Sequence, residues 1–334
     1  MKNIPEYSHV TSEIFAEEIK PAARPAVLKG LVSEWPVVKL GADSADDLLD
    51  HLVATASGMP IPYFACDPEW RGRFFYVPDC TAFNYRHEQA SFAEFVARLR
   101  HEAECPAPTA LFAGSLALGG FFPGFAQTHR LDGFISASQF LQSLWIGNHT
   151  LTAPHFDNVE NIACVVTGRR RFTLFPIEQF PNLYVGPLDL TPAGQPISLV
   201  DIREPDFARF PRYREAQEQA QVATLEPGDA IYIPTLWWHG VESLGPVNVM
   251  VNTWWRDVPG WFGSPMTALL HALLSLRDLP KGQRDSWKVV FDNLVFEANG
   301  PAAEHLPVPA RGVLGDLTRG NAAHLRDLLS RSQV

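Results

Sequence analysis

The sequence predicts a mainly β fold, with a barrel or sandwich over residues 109–258, N-terminal α/β elements over 1–108 and a C-terminal helical region over 259–334. Two observations carry this. Between residues 109 and 256, short runs rich in Val, Ile, Phe, Trp and Thr alternate with Pro, Gly, Asn and Asp turns, the pattern of all-β barrels and sandwiches. On either side, apolar residues recur at helical spacing instead.

Taken in order, residues 12–20 and 44–56 read as short helices, with Ser12 placed to cap the first and Ser44 preceding the second. Between them, 25–30 reads as a strand entering a turn. Ser91 to His101 is a helix with Phe92, Phe95, Val96 and Leu99 on one face, and Ser91 with Glu94 forms a capping box at its start. The candidate strands of the β region are 109–113, 143–147, 161–167, 170–175, 222–226, 230–233, 240–244 and 247–255. A long insertion at about 177–220, rich in Pro, Arg and acidic residues, interrupts them; a segment of that length is more often functional, or a lid, than idle. After Pro259, Met266, Leu269, Leu270, Leu273, Leu274 and Leu276 form one apolar helical stripe, and 285–298 supplies a second helix with Trp287, Val290, Phe291, Leu294 and Val295. Two such helices pack on the barrel or form a dimer interface, and a homodimer through them is expected.

Composition narrows the function. Of 334 residues, 46% are hydrophobic and 19% charged, which suits a chain that buries a full core. The net charge of −10 and the lack of a basic stripe of the kind that grips phosphates make DNA an unexpected partner, with a small modified-RNA substrate left open. Cys66, Cys80, Cys105 and Cys164 are scattered without a C-x-x-C pair, which argues for free thiols in a reducing compartment. The first residues lack an apolar signal-peptide region, and no stretch approaches the roughly 20 apolar residues that span a bilayer. A cytoplasmic location without membrane association is expected.

The most informative stretch runs from Leu144 through His155-Phe156-Asp157. In an extended chain residues i and i+2 face the same side, so His155 and Asp157 converge on one point. Much later, Gly228 makes a turn, 230–233 forms a strand that Pro234 ends, and His239 opens the next strand. A barrel brings such a histidine beside the pair. Two imidazoles and a carboxylate on one face of a metal leave three positions free, the facial triad of non-heme iron oxygenases. His155, Asp157 and His239 are therefore the candidate metal ligands and the catalytic centre. His9, His51, His87, His101, His271, His305 and His324 fall in helical or terminal segments without a paired ligand; His129 in a loop and His149 before the motif are candidates only for the pocket wall.

At these residues the sequence resembles the JmjC-type, cupin-like 2-oxoglutarate oxygenases, in particular the subgroup of the asparaginyl hydroxylase of hypoxia-inducible factor. The likeness covers about 140–258: Trp145-Ile-Gly, Pro154-His155-Phe-Asp157, Asn161, the run from Gly168 to Pro176, Gln179-Phe180, Leu183-Tyr184, Pro227-Gly-Asp229, Tyr232-Ile-Pro234, Trp237-Trp238-His239 and Val251-Asn252-x-Trp254. It implies a double-stranded β-helix (jelly-roll or cupin barrel), Fe(II) on the triad, and 2-oxoglutarate as cosubstrate. Thr152 fits the family's threonine three residues before the first ligand, and Asn161 and Asn252 its two pocket asparagines. Two positions depart. Arg170 stands where the family commonly has a lysine for the distal carboxylate; no lysine lies between Lys39 and Lys281. Strand alternation turns Arg170 inward with Phe172 and Leu174, where a bidentate guanidinium–carboxylate pair suits it; a structural salt bridge is the alternative. Phe112 stands where the relative carries a carboxylate-binding tyrosine, a lost hydroxyl for which Ser115 or another group substitutes.

The resemblance implies hydroxylation of an unactivated C–H bond on a protein or peptide side chain. A hydroxylase of free amino acids or small molecules, a non-oxygenase metal-binding cupin of sugar-binding or isomerase type, and a catalytically silent scaffold remain open at this point.

Overall fold

The computed structural model describes residues 1–135, 137 and 139–331, and the chain forms two compact units, Met1–Arg256 and Asp257–Val334. Eight strands build the barrel of the first unit: β1 (Phe140–Gly147), β2 (Leu151–His155), β3 (Glu160–Thr167), β4 (Arg170–Phe175), β5 (Gln221–Leu225), β6 (Ala230–Ile233), β7 (Trp238–Ser243) and β8 (Asn248–Trp255). They alternate between two facing sheets. One contains the order β6-β3-β8-β1 and the other β5-β4-β7-β2, so that successive strands, apart from the neighbours β4 and β5, cross from sheet to sheet as in a double-stranded β-helix. Strands Ala26–Lys29 and Ala110–Ala117 extend the first sheet on its two sides, and Arg73–Phe74 pairs with β2 at an edge of the second.

Alternation along these strands separates two apolar layers. Leu144, Ile146, Ile162, Cys164, Val166, Val249 and Val251 face outward and pack with Leu48, Leu49, Leu52, Phe95, Val96 and Leu99. These come from the helices Ala45–Thr55 and Phe92–Ala103, the latter started by the Ser91–Glu94 capping box. Ala163, Val165, Phe172, Leu174, Leu225, Ile231, Ile233 and Met250 face inward and line the barrel with Trp145 and Val241. Each large side chain buried in this way stabilises the fold by roughly 1.5–3 kcal/mol. Main chain approaches closely at Gly147, where an added Cβ would lie 2.3 Å from the Leu111 carbonyl oxygen. Main chain cannot swing aside, so Gly147→Ala is expected to lower unfolding free energy by roughly 3 kcal/mol. A chemical-denaturation midpoint equal to that of the unsubstituted protein would contradict this.

Several elements differ from the sequence expectation. Thr11, not Ser12, caps the first helix, its Oγ1 accepting from the Ile14 amide, and after Ile14 the chain continues as a π-turn over Phe15–Ile19. A helix at Pro36–Asp43 was not expected; its Pro at the first turn fits a helix start, but eight residues give little periodicity. Strands Ile61–Cys66 and Tyr85–Ala90 were also unread, and His87 lies in the second of them rather than in a helix. The strand expected at 240–244 begins earlier, at Trp238, and the helix expected at 285–298 spans Lys281–Leu294. The insertion is partly ordered, with a 3-10 turn at Ile177–Asn182 and a helix at Tyr213–Gln219, and it docks on β2: Ile197 bridges His155, and the Ser198 amide donates to the Pro154 carbonyl at 2.7 Å. The four cysteines are free thiols. Among the described residues no helix is long and apolar enough to cross a membrane.

Candidate metal centre

β2 and β7 are antiparallel neighbours, and His155 pairs directly with His239 across them. The two rings lie 4.3 Å apart between centroids. Asp157 follows β2 by two residues, and its Oδ2 comes to 3.7 Å from Nε2 of His239. One donor atom from each of the three residues lies within 4.8 Å of the others, a spacing that suits a single cation.

The protonation pattern is set by the backbone. Nδ1 of His155 is 3.0 Å from the Ala153 carbonyl, and Nδ1 of His239 is 3.0 Å from the Trp237 carbonyl. A carbonyl only accepts, so each Nδ1 carries a proton and donates it, and Nε2 is the nitrogen on each ring that could reach a metal. Burial, with the neighbouring His155 as a second cause, pushes the His239 imidazole down to about 4, against the pull of Asp157. Its neutral, ligating form thus prevails near neutral pH. Oδ2 of Asp157 is buried without a hydrogen-bond donor. Two imidazole nitrogens and one unsatisfied carboxylate oxygen, with no fourth His, Cys, Asp or Glu in the cluster among the described residues, fit a divalent cation with open positions.

A turn ties the two arms together. The Leu236 amide donates to the Asp157 carbonyl at 2.9 Å, and the Thr235 hydroxyl reaches the same oxygen at 3.4 Å. Leu236 adopts the left-handed φ of 65°, an uncommon conformation for a leucine.

The register places the remaining candidates. Between His155↔His239 and Thr152↔Val241, β2 advances three residues while β7 advances two. This bulge restores Thr152 to the face of His155, because an extra residue inverts the alternation. Along β4, Leu174, Phe172 and Arg170 pair with His239, Val241 and Ser243, so Arg170 shares the inner face with the metal ligands. Its side chain is inside the barrel, the residue only 3% exposed, and burial lowers its guanidinium to about 10. Nε has no partner, Nη2 makes one long contact of 3.5 Å with the Trp145 carbonyl, and Arg170 forms no ion pair among the described residues. The structural salt bridge considered from sequence is absent there. Its neighbours turn outward as alternation requires, Arg169 to Glu226 at 2.9 Å and Arg171 to Glu242 at 3.3 Å.

Asn161 and Asn252 also face inward on β3 and β8. Asn252 accepts from the Trp145 indole at 2.7 Å, whereas Oδ1 of Asn161 is buried and unpaired. Phe112 packs in an aromatic cluster, 5.8 Å from Trp145 and 5.7 Å from Phe74, and brings no polar group. Ser115 does not replace the missing hydroxyl: it is exposed, at φ 54°, where the pairing of Ala110–Ala117 with β1 slips. His129 and His149 are not drawn into the metal cluster. The first is buried at a helix end, stacked on Phe125 with its ring nitrogen 3.0 Å from the Phe125 carbonyl; the second is exposed beside a separate surface cavity. Sequence reading missed Ser143, two residues before Trp145 on the same face of β1, and the Trp254 indole, two after Asn252; the hydroxyl and indole nitrogen are both buried and unpaired.

An inward His-Asp-His triad and a desolvated cation further along the same face make a candidate metal site in a cupin-type barrel. The chain matches the cupin-like domain over residues 11–260 and belongs to that family of JmjC-type domains. Among its relatives, tRNA wybutosine-synthesizing protein 5 from Danio rerio is 27% identical over 281 residues, 77% of this chain and 76% of that protein. HSPB1-associated protein 1 from Homo sapiens is 40% identical over 114 residues, which are 34% of this chain but only 23% of that protein. Lysine-specific demethylase JMJ31 from Arabidopsis thaliana is 35% identical over 106 residues, 32% of this chain and 19% of the relative.

Proposed function

We propose that the protein is an Fe(II)- and 2-oxoglutarate-dependent oxygenase that hydroxylates an unactivated C–H bond on a protein or peptide side chain. The observation that carries this reading is the unpaired guanidinium of Arg170 inside the same barrel as the open triad. Arg170 lies four residues along β4 from Leu174, the cross-strand partner of His239, or about 13 Å at 3.3 Å per residue, a span that the long arginine side chain shortens. A short dicarboxylate matches that arrangement, one end at the metal and the other on the guanidinium. When bound, iron and 2-oxoglutarate supply the oxidative decarboxylation that yields succinate and CO2 and delivers one oxygen atom of O2 to the substrate. His155, Asp157 and His239 hold the metal, Arg170 binds and orients the cosubstrate, and the Trp145 and Trp254 rings, packed edge to face at 5.7 Å, keep water from the inner wall. The relatives' names carry tRNA and lysine as substrates; the net charge of −10 disfavours a polyanion and leaves the side chain.

The test is succinate formation from 2-oxoglutarate after anaerobic loading with Fe(II), followed by a peptide screen for the mass of one added oxygen. Tight zinc binding without turnover under any condition would favour a non-oxygenase cupin instead.

The second unit adds a proposal of its own, a homodimer formed through its helices. Pro265–Ser275 and Lys281–Leu294 contain no buried residue, although Leu269, Leu273, Leu276, Trp287 and Phe291 line a shared cavity of about 270 Å³ and Leu274 is 85% exposed. Apolar helices of this kind ordinarily bury one face, and a second copy supplies a surface of the same chemistry. Light scattering at micromolar concentration should give twice the chain mass, falling to one with Leu274→Glu and Trp287→Glu together; a monomer before substitution would refute the dimer.

A further inference from the structure

We infer that Ser143 is a cosubstrate-positioning residue, its hydroxyl donating to 2-oxoglutarate inside the barrel. This assignment rests on the oxygenase reading above. Ser143 lies on β1 with Trp145 on its own face, while Leu144 and Ile146 turn to the outer layer, so its side chain points into the barrel. The residue is 0% exposed, and Oγ has no hydrogen-bond partner.

An unpaired hydroxyl in an apolar strand costs about 1–3 kcal/mol relative to a satisfied one. Ser143 is not isolated, however. It pairs with Asn252, which in turn pairs with Ala163, and this row runs between the level of Asn161 and Trp254 and that of Trp145 and Arg170. Side chains directly opposite across strands have Cβ atoms about 4.5–5.5 Å apart, so the serine hydroxyl is a neighbour of Asn252. Oγ of Ser143, Oδ1 of Asn161, Nε1 of Trp254, Nε of Arg170 and Oδ2 of Asp157 are buried, inward-facing and unpaired. A group of unsatisfied polar atoms around one interior is a binding surface rather than five separate defects. Within it the hydroxyl role is open, since Phe112 has none, Ser115 is outside, and the Ser243 hydroxyl is engaged at 3.0 Å by that of Thr150. Ser143 lies two residues along β1 from Trp145, whose carbonyl Arg170 approaches, on the inner wall that a dicarboxylate held by the guanidinium would pass.

The experiment compares the full-length protein with Ser143→Ala, using Mn(II) as a redox-silent metal and 2-oxoglutarate as the probe, by calorimetric titration and thermal unfolding. The substitution is expected to weaken 2-oxoglutarate binding about tenfold, as loss of one hydrogen bond to a charged group would. Without 2-oxoglutarate it should leave the melting temperature unchanged or raise it by about 1–3 °C, because an orphan hydroxyl has been removed. Unchanged affinity overturns the assignment, whatever the melting temperature does. A lowered melting temperature without 2-oxoglutarate, with affinity falling only in proportion to folded protein, also overturns it by making the serine structural. If the unsubstituted protein binds Mn(II) but shows no response to 2-oxoglutarate, the oxygenase reading fails first and the assignment with it.

Discussion

Asp157→Ala, and separately His155→Ala, should reduce succinate formation from 2-oxoglutarate by on the order of a thousandfold or more, since a catalytic metal contributes several kcal/mol to the barrier. Asp157 brings the one negative charge of the triad and is buried with an unsatisfied oxygen. Without it, two neutral imidazoles face the metal, and affinity falls with the charge that balanced the cation. His155→Ala leaves one nitrogen and one oxygen, too few to hold a divalent ion against water. Metal content after loading and desalting should fall in both variants, while the far-UV spectrum stays the same, because neither residue fills the apolar layers. Asp157→Ala protein that keeps stoichiometric metal and full turnover would remove the triad from the mechanism.

Substitution of Arg170 should have the next largest effect, with opposite signs in two measurements. Arg170→Met should weaken 2-oxoglutarate binding by roughly a hundredfold, since a buried charge-assisted pair is lost. Arg170→Lys keeps the charge but not the two-pronged geometry, and should lie between, near tenfold. In the absence of cosubstrate, Arg170→Met should raise stability, because an unpartnered guanidinium held out of water opposes folding and a thioether of similar length does not. Burial lowers the guanidinium to about 10, still well above neutral, so it is a cation at working pH. A structural role would show the reverse: lower stability of Arg170→Met with affinity unaltered.

Much of this site was legible in the sequence because its chemistry follows strand periodicity. The i, i+2 spacing of His155 and Asp157, the Gly228 turn and Pro234 before His239, and the inward phase of Arg170 are local patterns, and the structure brings His155, Asp157, His239 and Arg170 to one inner surface. Alternation also separated Arg170 from Arg169 and Arg171. The unread parts depend on long-range pairing. Strands Ile61–Cys66 and Tyr85–Ala90 earn their place by extending a sheet, which no local pattern announces. Thr152 shares the His155 face only through a bulge that is invisible in composition. Ser143 was readable in principle, as a small polar residue in phase with Trp145, but its importance lies in lacking a partner, which only packing reveals.

The turn carrying Leu236 has a further consequence. Its hydrogen bond from the Leu236 amide to the Asp157 carbonyl fastens the main chain at Asp157 to the segment that delivers His239. The main chain beside Asp157 and the segment that delivers His239 are thereby joined at the base of the candidate site.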